Sequence, residues 1–160
     1  MAELNMEQAK QTYDNLCKML DERGWKYERV DGDLTIKSGI KGDDLPIEFL
    51  VRVNPRNEIV SFLSLLPFNV DESKRVDMAL AVCAANYCLA DGSFDYNLSS
   101  GKIIFRLTSS YKNSILSADL FEYMIMVSAA TVDVYNDKFF MISKGVLSIQ
   151  KFLEEEAGDN

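Results

Sequence analysis

The chain has 160 residues and no histidine among them. Histidine is the side chain whose ordinary pKa lies nearest neutrality, so its absence removes Ser-His-Asp and Cys-His catalysis together with mixed Cys/His zinc sites. Cysteine is scarce: Cys17, Cys83 and Cys88 are odd in number and lack framework spacing. They fit small buried apolar side chains in a reducing compartment, and no disulfide is expected. Long apolar runs are missing too. No stretch reaches the roughly 18 apolar residues of a membrane span, and the opening MAELNMEQAK has neither a basic start nor an apolar signal core. A cytoplasmic location away from membranes is expected. Basic residues are outnumbered 17 to 25, a net charge of −8, which repels phosphate and argues against nucleic acid and anionic membrane as partners. A protein partner fits better.

Nearly half of the residues are apolar, 48%, and 26% are charged, the balance of a folded domain. The length suits one domain over residues 1–160, with residues 154–160 expected as a frayed tail. In residues 3–22, Met6, Ala9, Tyr13, Leu16, Cys17 and Leu20 recur at steps of three and four, the spacing of one helical face ended by Gly24. Two strands near 25–30 and 33–37 flank Asp31-Gly32, a pair suited to a tight hairpin turn. Ile47, Phe49, Val51 and Val53 alternate with Glu48 and Arg52, and the pattern resumes after NPRNE, so residues 45–66 read as a second hairpin.

Asp71 is placed to cap a helix over about 72–89. Val76, Leu80, Cys83 and Tyr87 are expected as its inward stripe, widened by Ala79 and Val82. The stretch ADGSFDYNLSSGKIIFR, residues 90–106, reads as a third hairpin turning at SSG. Beyond it, Phe121, Ile125, Ser128, Val132, Tyr135, Phe139, Ile142, Val146, Ile149 and Leu153 step by four and three without interruption. That 3.5-residue period predicts one long helix with a bend at Gly145, where an interior glycine costs about 1 kcal/mol against alanine, and a break at Asn136 or Gly145 would leave a similar pattern. The expected architecture is an α+β domain of order α-ββ-ββ-α-ββ-α: an antiparallel sheet of about five to six strands with helices packed on one face.

The segment LAVCAANYCLADGSFDYNLSSGKIIFRLTS resembles the YbjN family, described as bacterial sensory transduction regulators, through a late helix asparagine (Asn86), a Gly-x-Phe strand entry (Gly92, Phe94), a turn glycine (Gly101) and an aromatic strand (Phe105). The resemblance covers about 30 residues in motif and nearly the whole chain in element order. It implies a fold similar to that of type III secretion chaperones and supplies no catalytic residue.

Other candidates have plainer explanations. Asp91 and Asp95 bracket GSF but lack the further oxygen ligands of a calcium loop. SGIKGDD, residues 38–44, lacks phosphate-loop spacing and a following helix; DESKR, residues 71–75, reads as a helix start. Cys83 and Cys88 project about 140° apart on a helix, so no shared metal is expected, and Cys83 is expected to be packed. FEYMIMV and YNDKFFMI read as core rather than as a cofactor box. No catalytic, cofactor or metal residue is therefore expected. The expected function is a non-enzymatic protein-binding module, chaperone-like or a regulatory adaptor, which takes an extended segment of a partner on a sheet edge or groove. A homodimer is expected through Tyr135, Phe139, Ile142, Val146 and Ile149. The alternative is a small-molecule-sensing domain or an unrecognised enzyme with a pocket between sheet and helices, and a third reading is a structural subunit of a larger complex.

Overall fold

The computed structural model describes residues 5–158. Helix α1 spans Met6–Glu22 and is capped by the Asn5 side chain, which accepts from the Gln8 amide. Strands β1 (Glu28–Arg29), β2 (Thr35–Lys41), β3 (Pro46–Asn54) and β4 (Ile59–Leu65) follow, and a short 3-10 turn at Glu72–Lys74 leads into α2 (Arg75–Cys88). Strands β5 (Ser93–Asn97) and β6 (Lys102–Ser110), then helices α3 (Ala118–Ser143) and α4 (Ile149–Gly158), complete the chain. All six strands form one antiparallel sheet in the order β1-β2-β3-β4-β6-β5. The expected α+β class and strand number stand.

Alternation decides which side of the sheet is covered. Ile47, Phe49, Val51 and Val53 of β3, Val60 and Phe62 of β4, and Ile103, Phe105 and Leu107 of β6 are buried, while Glu48, Arg52 and Arg106 on the reverse face are exposed. Rings fill the space between sheet and helices: Phe62 and Phe94 both meet Phe105 edge-on, and Phe94 meets Tyr135 and Phe139 of α3. Tyr111, fully buried, locks the end of β6 to the β3–β4 turn by donating its hydroxyl to the Asn54 carbonyl and its amide to that of Glu58.

Several expectations need correction. The first hairpin has only Glu28–Arg29 as its leading strand, because the Trp25 amide bonds back to the Leu20 carbonyl and the chain at 25–27 is still leaving α1. Its turn holds, with Gly32 at φ +75° and Val30 donating to Thr35. Asp71 makes no side-chain cap; its carboxylate pairs with Lys144 at 2.9 Å while its amide donates to Ser143. The long helix is broken at Gly145, whose φ of +72° ends α3. The tail is helical through Gly158; residues 3–4 and 159–160 of the expected helix and tail lie outside the described residues.

Two further differences concern surfaces. Tyr135, Phe139 and Ile142, expected at a dimer interface, lie in this chain's own core, because Phe94 and the α4 ring Phe152 pack against the stripe. Of that set only Val146 is exposed, at 75%, while Ile149 is partly buried. In α2 the inward face is Met78, Ala81, Val82 and Ala85, rotated away from the expected Val76, Leu80, Cys83 and Tyr87. Alanines face inward because α2 lies close against β5, α3 and α4, and small side chains permit that approach.

Candidate functional site

Rotation of α2 creates the most unusual surface among the described residues. Val76 (70% exposed), Leu80 (50%), Cys83 and Tyr87 (84%) lie one above another on its outward side at steps of four, three and four. No Asp, Glu, Lys or Arg occurs between Asp77 and Asp91, so nothing charged interrupts the stripe from Leu80 onward. A helix that is apolar on all sides is normally covered on all sides. Here the inner side is covered by the chain itself, and the outer one is open.

The motif residues hold this helix in place. Asn86 acts as a surrogate strand neighbour for β5: its side-chain amide donates to the Phe94 carbonyl at 3.0 Å, and its carbonyl accepts from the Phe94 amide at 2.8 Å. The outer edge of β5 is thereby closed to an added strand at Phe94. Gly92 sits at φ +75°, and a Cβ there would lie 2.4 Å from the Phe105 ring. Gly101, at φ +72°, would place one 2.6 Å from the Val70 carbonyl. Phe94 and Phe105 meet edge-on at 5.1 Å. At the other end of α2, the Tyr96 hydroxyl donates to the Arg75 carbonyl at 3.0 Å, and the Arg75 guanidinium donates to the Ser99 carbonyl. All five motif residues therefore orient α2 or the β5–β6 hairpin beside it, and none presents a reactive group.

The remaining candidates resolve into structural contacts. Asp95 pairs with Arg106 at 2.9 Å, and Asp91 accepts from the Tyr123 hydroxyl. Residues 38–44 run from β2 into a loop docked on α3, where the Asp43 amide donates to Asp133 at 2.9 Å. Lys74 of the DESKR stretch reaches Asp77. Cys17 is buried in the α1 core, which pushes its thiol pKa up, whereas Cys83, expected to be packed, is exposed on the outward side of α2 with Cys88. Burial and then the Cys17 thiol raise Tyr13 to about 12. These shifts follow from packing and prepare no nucleophile. No group of three or more His, Cys, Asp or Glu side chains that could hold a metal occurs among the described residues. A shallow groove of about 220 Å³, lined by Asn15, Lys18, Met19, Glu22, Leu116 and Ala118, runs beside α1 at the surface. No described helix is long and apolar enough to cross a membrane.

The sequence pattern concealed this face by offering two apolar stripes on one helix, of which the bulkier was expected inside. The charge-free run from residue 78 to 90 is the signal that could have found it.

Comparison with known proteins places the chain. No curated protein matches it by sequence. Among solved structures it resembles YbjN from E. coli, a "putative transcription regulator", with a TM-score of 0.57 at 13% identity over 92% of both chains. It also resembles the HopA1-SchA chaperone-effector complex, with a TM-score of 0.58 at 12% identity over 84% of this chain and 99% of the other. Likenesses at such identity establish a shared fold. The YbjN family, described as "Putative bacterial sensory transduction regulator", matches residues 12–141, from the first turns of α1 almost to the end of α3. On that match the chain belongs to the YbjN family.

Proposed function

We propose that the protein is a non-enzymatic protein-binding module of chaperone-like or adaptor type, and that it holds an amphipathic helix of a partner protein against the outward face of α2. The observation that carries this reading is the uncharged stripe Val76-Leu80-Cys83-Tyr87 on an exposed helix. Its four-three-four spacing matches the seam along which two helices interlock, so a partner helix with the same spacing would bury it. Family membership and the chaperone-effector neighbour agree with a protein partner. The mode differs from strand addition at a sheet edge, because β5 is closed by Asn86 and β1 is two residues long. A homodimer in the cytoplasm remains part of the reading, with Val146 and Ile149 the members of the expected interface outside the deepest core.

The test is capture of protein partners from the native cell extract by tagged wild type and by Leu80→Asp and Tyr87→Asp, with melting temperatures measured beside it. A stoichiometric partner held by the wild type and lost from both equally stable variants is expected. Identical capture by all three would remove α2 as the site. A ligand that raises the melting temperature of a chain with no protein partner would favour the small-molecule reading instead.

A further inference from the structure

The apolar stripe of the last third of the chain contains a contradiction. From Phe121 to Ile142 every member is buried against the sheet or its neighbours. The next, Val146, is 75% exposed, although the stripe continues in phase to Ile149 and Leu153. In the folded-back arrangement α4 presents a different side: Phe152 is fully buried and Glu156 nearly so, with Ile149 and Leu153 partly covered. The phase is broken only in space, by the five residues Lys144–Ser148.

Those five residues form the turn that separates α3 from α4. Val146 donates back to the Met141 carbonyl at 2.9 Å and Gly145 to that of Ile142 at 3.0 Å, the pair of bonds that closes a helix around a left-handed glycine. Ser148 then starts α4 by accepting from the Lys151 amide. Straightening would exchange these bonds for ordinary helical ones, and no proline lies between residues 118 and 158 to prevent it.

We propose that the groove between α2 and α3 accepts α4 from a second copy of this chain, the hinge at Gly145 opening so that α3 and α4 run as one helix and two chains exchange their final helices. The inference rests on the homodimer within the reading above and is independent of the outward face of α2. Every groove contact of α4 is conserved in the exchange: Phe152 against Phe139 at 6.1 Å between ring centres, the Tyr135 hydroxyl donating to Glu156 at 2.8 Å, and Lys138 facing Glu156 at 3.7 Å. The two arrangements therefore differ chiefly at the hinge, in the association entropy and in Val146, which straightening returns to the seam between Ile142 and Ile149. A continuous helix carries the 15 or so residues beyond Ser143 roughly 22 Å past the body of its own chain, far enough to lie on a neighbour.

Gly145→Ala discriminates between the arrangements. A Cβ meets nothing closer than Lys74 at 3.6 Å, so space is not the obstacle; the positive φ is. Alanine disfavours the left-handed hinge and favours the straight helix, so the dimer association constant should rise roughly tenfold to a hundredfold. Val146→Asp leaves the exposed site of the monomer undisturbed and should suppress that dimer. The exchange itself is read by carbodiimide coupling of the Lys138 ammonium to the Glu156 carboxylate in a mixture of isotopically light and heavy chains, refolded together. The expected product is a mixed light-heavy amide in the dimer fraction. A Gly145→Ala protein that stays monomeric overturns the proposal. So does a dimer in which Lys138 couples only to Glu156 of its own chain, a result that would leave association through α2 standing.

Discussion

Helices α1 and α2 both lay one apolar side on the core, yet their outer sides have nothing in common. The exposed residues of α1 include Glu7, Lys10, Asp14, Lys18, Asp21 and Glu22, with Lys18 and Glu22 forming a salt bridge one turn apart. The exposed residues of α2 are Val76, Leu80, Cys83, Tyr87 and Cys88. A helix that ends its packing with the chain's own core has no reason to avoid charge on the far side, where water solvates it at no cost. An outer face with no charge over three turns is the composition of a surface that another molecule covers. The difference is the one expected if α1 serves as scaffold and α2 carries the binding face proposed above.

The sharpest way to break that comparison is to put a charge on each side of α2 in turn. Ala85→Asp places a carboxylate at a fully buried position and should cost about 4 kcal/mol or more, enough to abolish a cooperative thermal transition. Asn86→Ala strips the partner groups from the Phe94 amide and carbonyl at the edge of β5 and should cost about 2 kcal/mol in urea unfolding, loosening the hold on α2.

The scaffold side has a pH signature of its own. Burial holds Tyr13 of α1 protonated up to about pH 12, against 10.0 for an ordinary tyrosine. Its contribution is fully present below pH 10 and is lost as pH rises toward 12, because the unfolded chain ionises first. Melts recorded across this interval should show falling stability in the wild type and a shallower fall in Tyr13→Phe. Tyr27, Tyr96 and Tyr111, also raised by burial, would retain the rest of the slope.

Tyr87→Asp has the smallest expected effect on folding, within about 0.5 kcal/mol, and Lys18→Ala on α1 should be as mild. The two part company in binding, where only the α2 variant should release a captured partner. Equal binding losses from both would erase the contrast between the helices.

Which face of α2 points inward could not be read from periodicity, since Val76-Leu80-Cys83-Tyr87 and Met78-Ala81-Val82-Ala85 each line one helical face. Bulk favoured the first set. Close approach to β5, α3 and α4 selects the second, because a helix wedged among three neighbours needs alanines where it touches them. The charge-free run was legible throughout, but periodicity could not reveal its meaning as a surface. Likewise the three-four stripe announced a helix from 118 onward without showing that α4 folds back, because Gly145 is compatible with both a helical and a left-handed backbone.

By itself the sequence determined the α+β class, the alternation that covers one side of the sheet, the hairpin turns at Gly32 and Gly101, and the absence of histidine chemistry. These follow from local rules: spacing selects helix or strand, glycine permits positive φ, and a missing side chain performs no reaction. Tertiary structure alone decided the rotation of α2, the burial of Tyr135, Phe139 and Ile142, and the break between α3 and α4. In each of these, apolar surfaces of similar local merit compete for a single interior, and only close packing of the whole chain settles which is enclosed and which is left facing water.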